Sequence, residues 1–215
     1  MTVWFERHGF EVNEKRVRRL MKLVNWQTIY REPRTTIAVK EYKKYPYLLK
    51  GLEITQRNQV WATDITYILM DKGFIYLCAI IDLHLRYVLS WDISNTMTAE
   101  WCTGVLQEAI DKHGKPEIFN TDQGSQYTSL VHTTLLINND IKISMDGKGR
   151  AIDNIFIERL WRTVKYENVY LQAYVSTLEL YNGLKKYFIF YNNERFHQSL
   201  DYKTPSEMYH KKQVA

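Results

Sequence analysis

The pattern of hydrophobic and polar positions predicts a sheet interleaved with helices over most of the chain. Residues 59–69 are rich in β-branched and aromatic side chains, and residues 74–81 form a nearly continuous apolar run that is typical of a buried central strand. The turn sequence Asp71-Lys72-Gly73 separates them, so the two strands are predicted to pair as a hairpin. Further strands are predicted over residues 86–93, 117–121 and 141–145.

Helices alternate with the later strands. A helix that begins after Thr96 or Thr98 is predicted to end before residues 113–116, whose sequence HGKP stops it. Further helices are predicted over residues 129–138, through Glu158, over 176–192 and over 205–212, with a loop at residues 147–149. The order of three strands, helix, strand, helix, strand and helix predicts an α/β fold.

The first quarter of the chain has a different character. Residues 13–24 repeat apolar side chains at helical spacing, with Asn13 as N-cap and basic side chains on the other side. Residues 30–51 contain Pro33 and Pro46 without a periodic pattern, and we interpret them as a linker. The predicted domains are a basic helical segment with its linker at residues 1–51 and a core at residues 52–215.

Composition narrows the class of protein. A chain of 215 residues that is 45% hydrophobic can bury the core of one domain plus an appendage. No apolar run reaches the roughly 20 residues of a membrane span, and the residues after Met1 lack the apolar segment of a signal peptide, so we expect a cytoplasmic protein outside the membrane. The two cysteines, Cys78 and Cys102, are predicted to be core residues, because no CxxC motif indicates a disulfide scaffold or a zinc knuckle.

Basic residues are concentrated near the N-terminus. Residues 1–50 contain 12 Lys and Arg against 5 Asp and Glu, whereas residues 51–215 contain 17 against 19. A solvated basic helix is the simplest explanation of this excess, but the excess also suits a polyanionic partner.

Two aspartates lie where a carboxylate is unusual. Asp64 lies inside the apolar strand at residues 59–69, where an aspartate is costly to bury unless it is paired or binds a cation. Asp122 follows the strand at residues 117–121 and precedes a turn with Gly124, which lets the backbone approach whatever the carboxylate binds. For each aspartate taken alone, a capping or turn role is the simpler interpretation.

The third acid, Glu158, belongs to a predicted amphipathic helix. The apolar side chains of this helix form the face that packs on the sheet: Ile157, Leu160, Trp161 and Val164. Glu158, Arg162 and Lys165 form a stripe beside that face. An intrahelical pair on a solvated surface explains the stripe, and so does a carboxylate that faces metal with two cations that hold phosphates. The three acids together could hold divalent metal, and the protein would then cut or join phosphodiester bonds.

Other polar residues have simpler explanations. Asp82 is predicted to cap the turn after its strand, and Asp153 to cap the helix through Glu158. His197 is predicted to pack or to form hydrogen bonds rather than to act in catalysis. Three acids are predicted to be solvated: Glu194, Asp201 and Glu207.

Motifs around the three acids resemble those of a known family. They are WATDITYI at residues 61–68, TDQGSQY at 121–127 and DNIFIERLWR at 153–162. Residues 191–193 (YNN), Arg195, 197–200 (HQSL) and 203–205 (KTP) resemble the C-terminal signature of that family, and parts of residues 12–21 resemble its N-terminal helix. The chain is similar to the DDE transposases of bacterial insertion sequences of the IS3 type, whose catalytic core looks like retroviral integrase.

The resemblance implies a fold and an activity. The fold is a ribonuclease H-like core with a mixed five-stranded sheet flanked by helices and with Asp64, Asp122 and Glu158 clustered at one edge. The activity is cleavage of the ends of an element and strand transfer within a multimer on DNA. Hard oxygen ligands favour two Mg²⁺ ions, with Mn²⁺ as a substitute, and we expect Asp64 to bridge them.

The DNA contacts and the N-terminus complete the expectations. Candidate DNA-binding residues are Lys148, Arg150, Arg162 and Lys165, although basic residues in loops are as often simply solvated. Family members usually begin with further residues and an upstream helix-turn-helix that reads the ends of the element, so the chain is expected to be truncated. Two alternatives stay open: a nuclease of the same fold without strand transfer, and an inactive remnant that only binds DNA.

Overall fold

The computed structural model describes residues 2–23, 43–71, 73–146 and 155–211, and the chain divides into two compact units, residues 1–38 and 39–215. The first unit contains helices α1 (Thr2–Arg7) and α2 (Glu14–Leu23). The predicted cap of α2 is confirmed, because the side chain of Asn13 accepts a hydrogen bond of 2.9 Å from the backbone N–H of Lys15. The sequence pattern does not predict the short helix α1.

The second unit is built on a mixed five-stranded sheet, as predicted, with the order β3-β2-β1-β4-β5. The strands are β1 (Val60–Met70), β2 (Gly73–Asp82), β3 (Val88–Ser94), β4 (Ile118–Thr121) and β5 (Lys142–Met145). The first three strands are antiparallel, whereas β4 runs parallel to β1 and β5 runs parallel to β4. β1 pairs with β4 only from Val60 to Ala62, so most of β1 extends past the end of that pairing.

Helices cover both faces of the sheet. They are α3 (Ala99–His113), α4 (Leu130–Asn138), α5 (Ile155–Val164), α6 (Tyr170–Gln172), α7 (Thr177–Asn193) and α8 (Pro205–Tyr209). A π-helix at Lys165–Val169 joins α5 to α6. Of the two threonines predicted to cap α3, Thr98 does so, because its side chain accepts a hydrogen bond from the N–H of Trp101. Within the described residues, no helix combines the length and the apolar character that would let it cross a bilayer.

Alternating side chains of β2 separate two hydrophobic cores. Leu77, Ala79 and Ile81 lie in the core that includes residues of α5 and α7. Cys78 and Ile80 point the other way, into the core that includes residues of α3, α4 and α8. Both cysteines of the chain are buried and free, which confirms the prediction that they are core residues.

The turn after β2 explains why β3 begins at Val88 instead of residue 86. The buried carboxylate of Asp82 accepts hydrogen bonds of 2.8 Å from the backbone N–H groups of Leu85 and Asn58, which confirms its predicted capping role. Arg86 has a φ of 58° in this turn, a conformation that a strand does not contain.

The C-terminal region gives one confirmation and one correction. His197 packs against Tyr191, with ring centroids 4.9 Å apart, as predicted. Glu207, predicted to be only solvated, instead completes a capping box with Thr204 at the start of α8. Asp153 lies outside the described residues, as do residues 30–42 of the predicted linker. The domain boundary near residue 52 stays a prediction, and Leu49 already contributes to the core.

Candidate active site

The end of the pairing between β1 and β4 brings two of the predicted acids to the same level. Ala62 of β1 lies opposite Asn120 of β4. Asp64 and Asp122 each follow two residues later, where the parallel strands stop pairing. Their carboxylates are therefore placed side by side where β1 and β4 separate, a position where strand ends leave room for a ligand.

A tight turn holds the carboxylate of Asp122. The backbone N–H of Gly124 donates a hydrogen bond of 2.8 Å to Asp122 Oδ1, and a Cβ atom added to Gly124 would lie only 2.9 Å from the same oxygen. The turn leads to the buried Tyr127, whose hydroxyl lies 3.4 Å from Thr63 Oγ1 on β1. Partial desolvation raises the pKa of Asp122, and the hydrogen bond from the Gly124 N–H opposes the rise.

Helix α5 brings the third acid to the same place. The predicted apolar face is confirmed, since Ile157, Leu160, Trp161 and Val164 are all buried. Glu158 lies on the exposed side of the helix, and among the described residues no ion pair includes it, so the intrahelical pair with Arg162 is not formed. Trp161 Nε1 donates a hydrogen bond of 2.9 Å to Asp64 Oδ2, which ties α5 to β1.

Electrostatic interactions join the three carboxylates into one cluster. Burial raises the pKa of Asp64 from 3.8 to about 6, while the N–H groups of Trp161 and Ile65 oppose this shift. The charges of Asp122 and Glu158 raise the pKa of Asp64 further, so each of these two acids lies within electrostatic range of Asp64. A partly buried carboxylate held beside two others is in a position that favours a bound cation.

The donor atoms of this cluster suit a hard divalent cation. All three side chains offer carboxylate oxygens, which Mg²⁺ and Mn²⁺ prefer over the nitrogen and sulfur ligands of zinc. As the side chains stand, the described part of the chain contains no group of three His, Cys, Asp or Glu residues arranged to hold one ion. Asp64 and Asp122 instead accept hydrogen bonds from neighbouring N–H groups. By donor type and by an excess of negative charge, the cluster fits the metal that the family implies.

One of the four predicted DNA-binding cations lies beside the acids. Lys165 Nζ lies 5.0 Å from the ring centroid of Tyr67. Burial lowers the pKa of Lys165, and the negative charge of Asp64 opposes this shift. The guanidinium of Arg162 lies 5.9 Å from the ring centroid of Tyr166. The other two, Lys148 and Arg150, lie outside the described residues.

A clamp on the π-helix is a feature that sequence reasoning missed. Arg195 donates two hydrogen bonds, of 2.8 and 2.7 Å, to the two carboxylate oxygens of Glu167, and the Tyr187 hydroxyl donates a third of 2.8 Å. Arg195 belongs to the C-terminal motif noted above, but no local pattern connects it to Glu167, 28 residues earlier. The clamp fixes the segment that begins with Lys165.

Comparison with known proteins identifies the fold and the family. Residues 54–151 and 139–205 match two families that are both described as Integrase core domain. The HTLV-2 integrase catalytic core domain in complex with magnesium superposes with a TM-score of 0.60 at 22% identity, over 72% of this chain and 97% of that one. This likeness confirms the retroviral integrase-like fold.

Relatives from bacteria extend the match over nearly the whole chain. The transposase for insertion sequence element IS904 from Lactococcus lactis is 32% identical over 93% of this chain and 81% of its own length. InsK of insertion sequence element IS150 from Escherichia coli is 30% identical over 96% of this chain and 75% of its own length. The chain therefore belongs to the IS3-type DDE transposases of insertion sequences, which carry an integrase core domain.

Proposed function

We propose that this transposase cleaves DNA strands at the ends of an insertion sequence and joins them to target DNA, with Asp64, Asp122 and Glu158 as its catalytic acids. The observation that supports the assignment is geometric: the pairing of β1 with β4 ends two residues before Asp64 and Asp122, and Trp161 of α5, three residues after Glu158, donates a hydrogen bond to Asp64. The chain contains 24 Asp and Glu, and these three belong to β1, the end of β4 and α5, elements that pack together where the pairing of β1 with β4 ends.

The three carboxylates would hold two divalent ions, Mg²⁺ in preference to Mn²⁺. Asp64 interacts with both other acids, which suits it to contribute to both ions. When bound, such ions lower the pKa of an attacking water or 3′-hydroxyl and stabilise the departing oxygen. No covalent bond between protein and DNA is required.

The chain's own groups keep the acids in place and receive the DNA. Trp161 orients the carboxylate of Asp64 through its Nε1–H, and the Gly124 N–H orients that of Asp122. Lys165 can hold a phosphate beside Asp64 because its ammonium group is already near that carboxylate. Arg162 lies one helical turn earlier and would contact a phosphate of the same DNA strand.

The partners follow from the family. DNA is the substrate, and we propose that the protein acts as a homo-oligomer, as the dimeric and trimeric forms of the HTLV-2 core suggest. An upstream helix-turn-helix region or protein would read the ends of the element. Residues 1–51 would form a basic arm, residues 52–215 the catalytic core, and Lys148 and Arg150 further DNA contacts. The protein would work in the bacterial cytoplasm, on the nucleoid when DNA is bound.

A strand-transfer assay tests this function. Labelled element ends are incubated with Mg²⁺ and the protein, with the upstream helix-turn-helix region supplied. The variants Asp64→Asn, Asp122→Asn and Glu158→Gln should abolish cleavage and joining, whereas Asp111→Asn, an exposed acid of α3, should leave both unchanged.

Three results would overturn the proposal in different ways. Hydrolysis without joining would favour a nuclease of the same fold. No reaction by the unaltered chain would favour a remnant that only binds DNA. Full metal-dependent activity in any of the three acid variants would show that the acids are wrongly assigned.

A further inference from the structure

The hairpin of β1 and β2 carries an exposed aromatic surface that the catalytic acids do not use. Tyr67 pairs with Tyr76 and Leu69 with Phe74, so the four side chains share one face of the hairpin. Tyr67 is 62% exposed, Phe74 51% and Leu69 77%. The rings of Tyr67 and Phe74 lie 6.3 Å apart, and those of Phe74 and Tyr76 lie 5.2 Å apart. We call these four residues the hairpin platform; a contiguous apolar patch of this kind marks a binding surface.

Lys165 connects the hairpin platform to the catalytic acids. Its ammonium group lies 5.0 Å from the centroid of the Tyr67 ring, and it interacts electrostatically with Asp64. Asp64 and Tyr67 lie on opposite faces of β1, and Lys165 is near both of them at the part of β1 that extends past its pairing with β4. The clamp between Glu167 and Arg195 holds the π-helix that begins with Lys165, so the fold itself keeps Lys165 in this position.

We infer that the hairpin platform binds an unpaired nucleobase of the DNA strand whose phosphate lies at the catalytic acids. The inference rests on the proposed function, because DNA must be the substrate. An aromatic ring offers a flat apolar face to any base, and a neighbouring cation can hold the phosphate that follows the base. In a duplex the bases are stacked on one another, so only a strand that is frayed or already cut exposes a base to Tyr67.

Stacking on the platform lowers the cost of separating the strands next to the reacting phosphate. A base that leaves its own stack loses its stacking neighbours, and stacking on an aromatic side chain compensates part of that loss. Because every base has an aromatic face, the platform favours unpaired over paired ends without selecting a sequence. Sequence recognition is left to other parts of the transposase.

Binding of matched DNAs in EDTA tests the platform without catalysis. One DNA ends in two unpaired nucleotides, of which one is the fluorescent base 2-aminopurine, and the other carries the same base inside a blunt duplex. We expect Tyr67→Ala to weaken binding of the unpaired end on the order of 5- to 150-fold and to abolish quenching of 2-aminopurine. Binding of the blunt duplex should change little.

Substitutions that keep or move the aromatic ring provide the controls. Tyr67→Phe and Tyr67→Trp should retain the preference for the unpaired end, because both keep a ring that stacks. Tyr202→Ala removes a tyrosine of similar exposure, 67%, outside the hairpin, and should leave both DNAs unaffected. Thermal melting of each variant checks that the fold is intact.

Two results would overturn the platform. One is an unchanged preference for the unpaired end in Tyr67→Ala. The other is a change in oligomeric state with unchanged DNA binding, which would assign the surface to a second copy of the chain. Failure of the platform is distinct from failure of the proposed function, because strand transfer by the unaltered protein is measured separately and does not depend on quenching.

Discussion

Replacing Asp64 with Asn should stabilise the metal-free protein at neutral pH. Asn has nearly the same shape and can still accept the hydrogen bond from Trp161 Nε1, so the substitution mainly removes a charge. That charge is held in a buried position beside Asp122 and Glu158, and the pKa of Asp64 rises from 3.8 to about 6 as a result. The unaltered protein therefore folds against an electrostatic cost that the Asn variant does not have.

The pKa shift sets the size and the sign of the effect. A rise of about 2 pKa units corresponds to about 3 kcal/mol in the free energy of unfolding, and partial solvent exposure of Asp64 reduces the expected gain to about 1–2 kcal/mol. The folded state binds the proton more tightly than the unfolded state. The cost is thus absent below pH 3.8, grows between pH 3.8 and about 6, and is complete above that range.

Urea denaturation in EDTA at about pH 7 and about pH 4 measures this difference. Asp64→Asn should be more stable than the unaltered protein at the higher pH, and the two should converge at the lower pH. Asp111→Asn on α3 is the matched control and should change neither value. Added Mg²⁺ should stabilise the unaltered protein more than the variant.

An equal gain at both pH values would show that charge is not the cause. A variant less stable than the unaltered protein at neutral pH would refute the electrostatic reasoning altogether.

Three further substitutions test the supporting contacts. Gly124→Ala should lower DNA cleavage on the order of 100-fold with little change in melting temperature, because its Cβ would displace the Asp122 carboxylate; unaltered cleavage rates would contradict this. Trp161→Phe should raise the pKa of Asp64 by about 1 unit, because it removes an N–H donor. Carbon NMR titration of the metal-free protein measures this pKa, and an unchanged value would contradict the prediction. Glu167→Ala and Arg195→Ala, combined in a double-mutant cycle of urea unfolding, should give a coupling energy of about 1 kcal/mol, and additive effects would mean that the clamp contributes nothing.

Periodicity predicts the elements of the sheet well because each strand and helix carries its own local signal. The apolar run of β2 and the amphipathic face of α5 are both visible in the sequence. The structure buries the α5 face as predicted, whereas the run in β2 is buried only from Leu77 onward and Phe74 is exposed. The convergence of Asp64, Asp122 and Glu158 is less local. Each acid alone is explained by a capping, turn or surface role. Only the strand order together with the family motifs predicts that the three lie at one edge of the sheet.

Features that depend on distant partners could not be predicted. The π-helix at Lys165–Val169 is accompanied by contacts of Glu167 with Arg195 and Tyr187, which lie far along the chain. Trp161 is recognisable as a packing residue from its spacing, but its second role as hydrogen-bond donor to Asp64 requires the position of β1. Short α1 lacks any periodic signal because it is only six residues long.

The order in which the three acids are synthesised affects when a growing chain could first cleave DNA. Asp64 and Asp122 come from strands that pair across almost 60 residues, and Glu158 follows only on α5, after the last strand of the sheet. All five strands of the sheet are therefore synthesised before the third carboxylate. A prematurely terminated product that ends before α5 would thus carry the sheet and two of the acids but not the full set. Because the three acids that we propose as catalytic are spread over the length of the chain, DNA cleavage would require synthesis of most of the core.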